Sequence, residues 1–491
     1  MTSENSSRQH DRRWLILAMV AVAQLMVVLD ATIVNIALPS AQRDLGFSND
    51  SRQWVVTAYA LAFGSLLLIG GRIGDYFGRK RALVTGLLGF ALASAMAGVA
   101  QSLGMLVAAR ALQGAFGALL APSALSILTT TFTDRQERGT AFGIYGAIAG
   151  GGGAIGLLLG GVLTQYIDWR STLFVNLVFA VPAAAAAMAL LVNERPAIRA
   201  KLDIPGVATA TSGLFALVYG FSNAETHGWG AALTVGSLAL SAVLLVSFVV
   251  LQARGKHPLL PLRVVLDRDR GASFGSMAIA GSGSFGVFLF LTYYLQRNLG
   301  FSPIKTGLAF LPMMGAVVTS ATLISTRILP RTGPRPLVPT GMLLAALSML
   351  ALTRVGVHTG YASHVLPELI VLGIGMGMIF APSMATATGA VDPEDAGVAS
   401  ALVNTMQQVG GSIGVALLST FSATAATSFV TSHGGATAST VAAGAVHGYT
   451  TAFWWSAGIF FFGAVFSGLL LRSGAQAQSY EAGSGAPAMA H

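Results

Sequence analysis

Apolar runs of about 20 residues, broken by short polar stretches, recur along almost the whole chain, and a helix needs about that length to cross roughly 30 Å of hydrocarbon. The runs fall near residues 14–38, 53–71, 82–100, 104–131, 139–166, 171–192, 204–222, 231–253, 272–296, 304–326, 336–356, 364–389, 397–424 and 449–471. The pattern predicts an all-α polytopic membrane protein with 14 transmembrane helices. Residues 1–13 read as an N-terminal tail and 472–491 as a disordered tail. The Ala-, Thr-, Ser- and Gly-rich segment 425–447 reads as a mobile loop.

Matching patterns recur at the same ordinal position in the two halves. Run 4 carries Gly117-x3-Ala121-Pro122-Ser123, and run 12 carries Gly377-x3-Ala381-Pro382-Ser383, 260 residues later. Run 5 carries Gly152-Gly153-Ala154-Ile155-Gly156, and run 13 carries Gly410-Gly411-Ser412-Ile413-Gly414, 258 residues later. After run 2, Arg72-Ile73 and Gly78 are echoed 255 residues on by Arg327-Ile328 and Gly333. Three matches at a near-constant offset predict two pseudo-symmetric six-helix bundles, 14–192 and 271–471, in the same orientation. A two-helix insert with polar, amphipathic linkers occupies 193–270. Parallel repeats of this kind belong to rocking transporters whose substrate site lies between the halves near mid-membrane.

Composition fits that reading: of 491 residues 54% are hydrophobic and only 10% charged, with 59 glycines. A net charge of +9 would suggest nucleic acid in a soluble protein, but here Lys and Arg act as a topology ruler. With the N-terminus taken as cytoplasmic, 21 of the 28 basic residues fall on that side, and six, Arg43, Arg52, Arg170, Arg297, Lys305 and Arg354, on the other. Both termini are therefore expected in the cytoplasm of a multi-pass protein of the plasma or inner membrane, with the basic surface facing anionic lipid rather than DNA. The stretch after Arg12-Arg13 is too long for a signal-peptide core and reads as a retained first span. The absence of cysteine excludes disulfides, thiolate metal sites and cysteine nucleophiles. No G-x4-G-K-[ST] stretch occurs, which argues against an enzyme or pump driven by nucleotide.

Two charges interrupt the runs. Asp30 lies deep in run 1, where an acid costs roughly 2.5–3.5 kcal/mol on insertion scales and usually faces a bundle interior or a transport path. Arg110 is the one basic residue placed inside a run, in Arg110-Ala111-Leu112-Gln113-Gly114. Asp30 is nine residues from Pro39 and Arg110 six from Gly104, about 13 Å and about 9 Å from the same face at 1.5 Å per residue. A direct or water-bridged pair is geometrically allowed. Glu368, about four residues into run 12, is either a second protonatable group or a wet surface acid.

The motifs around these charges are specific. Run 1 reads Leu29-Asp30-Ala31-Thr32-Ile33-Val34-Asn35-Ile36-Ala37-Leu38-Pro39. The loop after run 2 reads Gly71-Arg72-Ile73-Gly74-Asp75-Tyr76-Phe77-Gly78-Arg79-Lys80-Arg81. Together with Arg110-x-x-Gln113-Gly114 and the glycines of run 5, they resemble over nearly the whole length a major facilitator superfamily member of the fourteen-helix drug:proton antiporter type. Gly74 and Tyr76 depart from the usual loop residues. The resemblance implies that Gly71, Asp75, Gly78, Arg79 and Lys80 form a cytoplasmic latch on the conformational balance. It also matches Gly152, Gly156, Gly160 and Gly161 to the antiporter signature, in which Leu157 replaces the expected proline.

These readings imply a proton-coupled exporter of amphipathic or hydrophobic drugs that acts as a monomer, with Asp30, Arg110 and Glu368 as coupling candidates. Protons serve as the coupling ion and no cofactor or metal is expected. Runs 10 and 13 hold no acid, so neutral, zwitterionic or monovalent substrates are expected. Candidate cavity residues are Gln24, Asn35, Gln113, Asn404, Gln407 and Gln408 for polar contacts and Phe290, Tyr293 and Tyr294 for apolar area, each of which is also an ordinary helix-packing residue. The alternative is an uncoupled facilitative carrier or substrate sensor of the same fold, which Leu157 favours.

Overall fold

The computed structural model describes Thr2 to Arg472 apart from residues 49–50, 133–134, 193–202, 256–257, 358, 390, 392–394, 434 and 436. The regular elements among the described residues are helical. In order they are α1 (Thr2–Leu45), α2 (Gln53–Phe77), α3 (Arg79–Gly98), α4 (Leu103–Thr131), α5 (Arg135–Tyr166) and α6 (Ser171–Leu190). There follow α7 (Ile204–His227), α8 (Ala232–Arg254), the short α9 (Leu262–Leu266), α10 (Arg268–Tyr293), α11 (Pro303–Leu323) and the short α12 (Leu329–Thr332). The chain closes with α13 (Leu337–Leu352), the short α14 (Tyr361–His364), α15 (Leu366–Thr388), α16 (Ala396–Ser432) and α17 (Ala438–Leu470). Among the described residues eleven helices are long and apolar enough to cross a bilayer, and shorter apolar stretches lie at Gln53–Leu67, Gly152–Tyr166 and Leu337–Leu352.

Helices α1 to α6 pack mainly on one another, α1 against α5 and α6, and α4 against α2 and α3. Helices α10, α11, α13, α15, α16 and α17 form a second group. The groups meet along two seams, α2 with α16 and α5 with α11, and α7 of the insert packs against both members of the first. There Thr211 donates to the Ser65 carbonyl (3.2 Å), and the Tyr219 ring sits 6.0 Å from Trp54.

The face where α1 begins and α17 ends, the near face, differs from the opposite, far face. A core of buried residues bridges the groups toward the far face, joining Ile33, Ile36 and Ala37 to Phe290, Tyr293, Phe310 and Met313. Toward the near face, the buried core of the first group, from Ile16 to Ala187, comes from its own helices, with half-buried Ala401 of α16 packed against it. The halves are closed on the far side.

Several boundaries differ from the sequence expectation. The helix of α1 begins at Thr2 rather than near 14, so most of the expected N-terminal tail is helical. The segment 425–447 is largely helix instead of a mobile loop, because α16 runs to Ser432 and α17 starts at Ala438. A capping box at Thr437 and Thr440 opens α17, and Gly444 and Gly448 bring it within touching distance of Val430 and Ser422. His433 stacks on Phe429 at 4.0 Å. The linker after α8 holds the short helix α9; the linker 193–202 and the tail beyond Arg472 lie outside the described residues. The sequence echo of Gly78 and Gly333 has a backbone counterpart: both sit in left-handed conformations, φ +98° and +73°, where a Cβ is strained.

Candidate functional site: a buried carboxylate cage

Asp30 is fully buried on α1, and helices α4 and α6 supply three donors to it. Arg110 Nη1 donates to Oδ2 at 2.5 Å, Gln113 Nε2 to Oδ1 at 3.0 Å and Asn176 Nδ2 to Oδ1 at 2.7 Å. Ser94 of α3 closes the cage, its Oγ accepting from Gln113 Nε2 (2.6 Å) and Asn176 Nδ2 (3.1 Å). Ser94, Gln113 and Asn176 are fully buried and Arg110 nearly so.

Arg110 is held from several sides. Its Nε donates to the Val55 carbonyl (3.2 Å), Nη1 also reaches Gln113 Oε1 (2.9 Å), and the guanidinium lies 4.4 Å from the centre of the Tyr59 ring. The spacing of Arg110, Gln113 and Gly114 explains the cluster, because residues three and four apart share a helix face. Gly114 has no side chain to hold α4 off α2: a Cβ there would come within 2.9 Å of the Phe63 amide nitrogen. Only through that close approach does Tyr59 cover the guanidinium. A buried ion pair stabilises little in net terms, but removing one partner costs about 3–5 kcal/mol by stranding a charge.

Glycines place α5 beside the cage. Gly152, Gly156 and Gly160 form one stripe against Val28, Leu29, Thr32 and Ile33 of α1, and a Cβ at Gly156 would lie 3.0 Å from the Leu29 carbonyl. Gly161 faces the other group, where a Cβ would lie 2.6 Å from Ile304 Cα. Helix α5 runs unbroken through buried Leu157, whose carbonyl packs on Gly307 of α11. One helix thus touches both the helix that carries Asp30 and the opposite half, a close packing that small residues permit in lipid.

The other expected residues are dispersed. Gln24 accepts from the Tyr145 hydroxyl (2.7 Å), while Asn35 and Asn404 each donate to the carbonyl four residues back. Gln407 and Gln408 are half-buried on α16, and the Gln408 side-chain oxygen has no partner among the described residues. Phe290, Tyr293 and Tyr294 are fully buried in the core toward the far face. There the Tyr293 hydroxyl and Arg297 both donate to Gln42 Oε1 (2.8 Å each), Gln296 donates to the Ile36 carbonyl (3.1 Å), and Arg52 covers the Tyr293 ring at 4.1 Å.

At the near face Gly71 packs by Pro122 and Gly78 makes the turn between α2 and α3; Arg79 opens α3 half-buried. Lys80 donates to the last carbonyls of α6, Met188 (2.7 Å) and Leu191 (2.6 Å), where a cation complements the helix end. The Asp75 side chain lies outside the described ones. Glu368 sits half-buried in the first turn of α15, in the other half from Asp30. Ser94, Asn176 and Gln42 were not singled out from sequence. The available signal was depth, since Asn176 is five residues from Ser171 and Ser94 six from Ala100, level with Arg110 six residues from Gly104.

The most deeply buried charges in this helical membrane protein are thus gathered in an ion pair caged by neutral donors, and no His, Asp or Glu grouping suited to a metal occurs among the described residues. The family model "Major Facilitator Superfamily" matches residues 20–415, and the chain belongs to that family. It is similar to the puromycin resistance protein pur8 of Streptomyces alboniger, 49% identical over 95% of this chain and 93% of that protein. It is also similar to the cephamycin export protein CmcT of Amycolatopsis lactamdurans, 39% identical over 82% and 84% of the two chains. The multidrug efflux pump LfrA of Mycolicibacterium smegmatis is 30% identical over 85% and 82%. In fold the chain resembles an inward-facing, unoccupied bacterial homologue of the lysosomal transporter Spinster, with a TM-score of 0.65 over 97% of this chain and 99% of that one. A POT-family peptide transporter matches with a TM-score of 0.68 over 94% and 96%.

Proposed function

We propose that the chain exports amphipathic antibiotic-like molecules from the cytoplasm in exchange for protons, with Asp30 as the proton-carrying group. In this reading fourteen crossings in two six-helix halves and a two-helix insert bring both termini to one side, and the bias of Lys and Arg toward that side supports the cytoplasm. The observation that carries the reading is the cage: a fully buried carboxylate with donors on both oxygens, joined to Arg110 at 2.5 Å. Every neighbour presents an N–H donor to a carboxylate oxygen, so a proton arriving at Asp30 must rearrange a network that already engages both oxygens. Protonation from outside weakens the hold of Arg110, and proton and substrate then compete through one network. The names of the relatives, which speak of resistance and export, support drug efflux as the direction of transport.

A membrane potential contributes about 2.3 kcal/mol per net charge moved per 100 mV. Substrate charge therefore sets how voltage enters, and the acid-free centre of the second half suits neutral or singly charged molecules. Everted vesicles test the proposal: with an inward-acid gradient imposed, puromycin uptake by the parent chain should collapse when the gradient is dissipated and should be lost in Asp30→Asn. Counterflow that persists undiminished without a gradient, unaffected by Asp30→Asn, would instead identify the facilitative carrier that unkinked α5 at Leu157 suits.

A further inference from the structure

The amide of Asn176 is wired on one side only. Its Nδ2 donates to Asp30 Oδ1 (2.7 Å) and Ser94 Oγ (3.1 Å), while its Oδ1 is buried with no hydrogen-bond partner among the described residues. A buried amide oxygen left unpaired costs about 1–3 kcal/mol. Ser94 is unbalanced in the complementary sense. Its Oγ accepts from Gln113 and Asn176, using both lone pairs, and its own hydrogen has no acceptor among the described residues.

From this geometry we infer that Asn176 is a two-way positioning residue that reverses its side-chain amide when Asp30 takes up a proton. With Asp30 charged, the amide presents its NH2 end. When a proton from water binds Asp30 Oδ1, that oxygen becomes a donor and needs an acceptor 2.7 Å away, where the NH2 group now sits. Half a turn about the amide axis puts Asn176 Oδ1 there instead. The same oxygen then accepts from the Ser94 hydroxyl, while Gln113 Nε2 still donates to the remaining lone pair of Asp30 Oδ1 and Arg110 stays on Oδ2. Release of the proton to water returns the amide to its first position, so no atom is gained or lost over the cycle.

Each orientation leaves one end of the amide unpaired in the same pocket, so the two are close in energy and the proton decides between them. That is the property of a bistable switch element. Neighbouring charges leave the decision to this cluster. The titratable and charged groups facing Asp30 are Arg110 from α4 and, across its guanidinium, Tyr59 from α2; α3 and α6 contribute only Ser94 and Asn176, and α5 packs on α1 through glycine. Arg52, Tyr293 and Arg297 gather at Gln42, 12 residues further along α1 and about 18 Å away.

The inference rests on the reading of Asp30 as the proton carrier and is tested with it by acid-minus-neutral infrared difference spectra of the full chain in detergent. The parent should show a protonated-carboxyl band that is absent in Asp30→Asn. Asparagine labelled at the side-chain carbonyl should shift a second band that also depends on Asp30. In Asn176→Leu the carboxyl band should move to higher frequency, as for an acid that donates no hydrogen bond, and the labelled-asparagine band should vanish. The labelled parent gives the answer even where the leucine variant fails to fold. A carboxyl band that depends on Asp30 with no accompanying asparagine band overturns the role of Asn176 and leaves the proton carrier in place. No Asp30-dependent band in the parent overturns both.

Discussion

Replacing Asp30 by Asn keeps the shape of the side chain and removes its charge, which strands Arg110 in a fully desolvated site. Losing one member of a buried pair costs about 3–5 kcal/mol. Arg110 retains the Val55 carbonyl, Gln113 Oε1 and the Tyr59 ring, so the loss should fall near the lower end. Arg110→Gln should cost a similar amount, since Asp30 then keeps only its neutral donors. The double variant carries no buried charge and should be more stable than the two losses added together, by roughly 2–3 kcal/mol of coupling. At about 2–4 °C per kcal/mol for a domain of this order, each single variant should melt on the order of 6–10 °C lower in detergent, with the double variant close to either single. Melting followed by tryptophan fluorescence, with the four proteins compared in one detergent, completes the cycle. Losses in the double variant equal to the sum of the two singles would mean that Asp30 and Arg110 do not act on each other, and the cage would have no energetic content.

Other consequences follow from the glycines and the far-face seam. Gly156→Ala puts a methyl group 3.0 Å from the Leu29 carbonyl and against Thr32, so it should cost about 1–3 kcal/mol and slow efflux by pushing α5 off the helix that carries Asp30; unchanged melting and transport would contradict the tight contact. Gly78→Ala forces a Cβ into φ +98° and should lower stability by about 1–2 kcal/mol, readable as a shift in melting temperature. Gln42→Ala leaves the Tyr293 hydroxyl and Arg297 without their acceptor, costing about 1–3 kcal/mol on the far-closed state and favouring its opening by roughly 5- to 150-fold. Because the chain has no cysteine, a single cysteine at Thr57, buried on the far half of α2, should then react faster with a membrane-impermeant thiol reagent added outside. Equal labelling rates with and without Gln42→Ala would show that the seam is not held there.

The helical architecture was legible because a membrane helix writes itself as an apolar run of fixed length, and the repeat offset survived in residues the backbone cannot exchange, such as the left-handed glycines 78 and 333. The Asp30–Arg110 pair was legible from depth alone, since two charges at one level in hydrocarbon have few alternatives to each other. Asn176 and Ser94 escaped because a single polar residue in an apolar helix is ordinary, and its meaning depends on lateral neighbours that a one-dimensional pattern does not contain. The same limit applied to Phe290, Tyr293 and Tyr294: aromatic residues suit a cavity or a seam equally well, and here the hydroxyls of Tyr293 and Tyr294 bond to Gln42 and to the Gly356 carbonyl. The loop expected at 425–447 failed on composition, because Ala and Thr suit a helix end as well as a linker once Thr437 caps α17.

Proton release on substrate binding tests the central claim most directly. Detergent-solubilised chain in weakly buffered solution, mixed with puromycin and followed by a pH-sensitive dye, should release up to one proton per bound drug. Asp30→Asn should bind drug and release none. Drug binding with no proton release from the parent, or equal release from Asp30→Asn, would contradict the account.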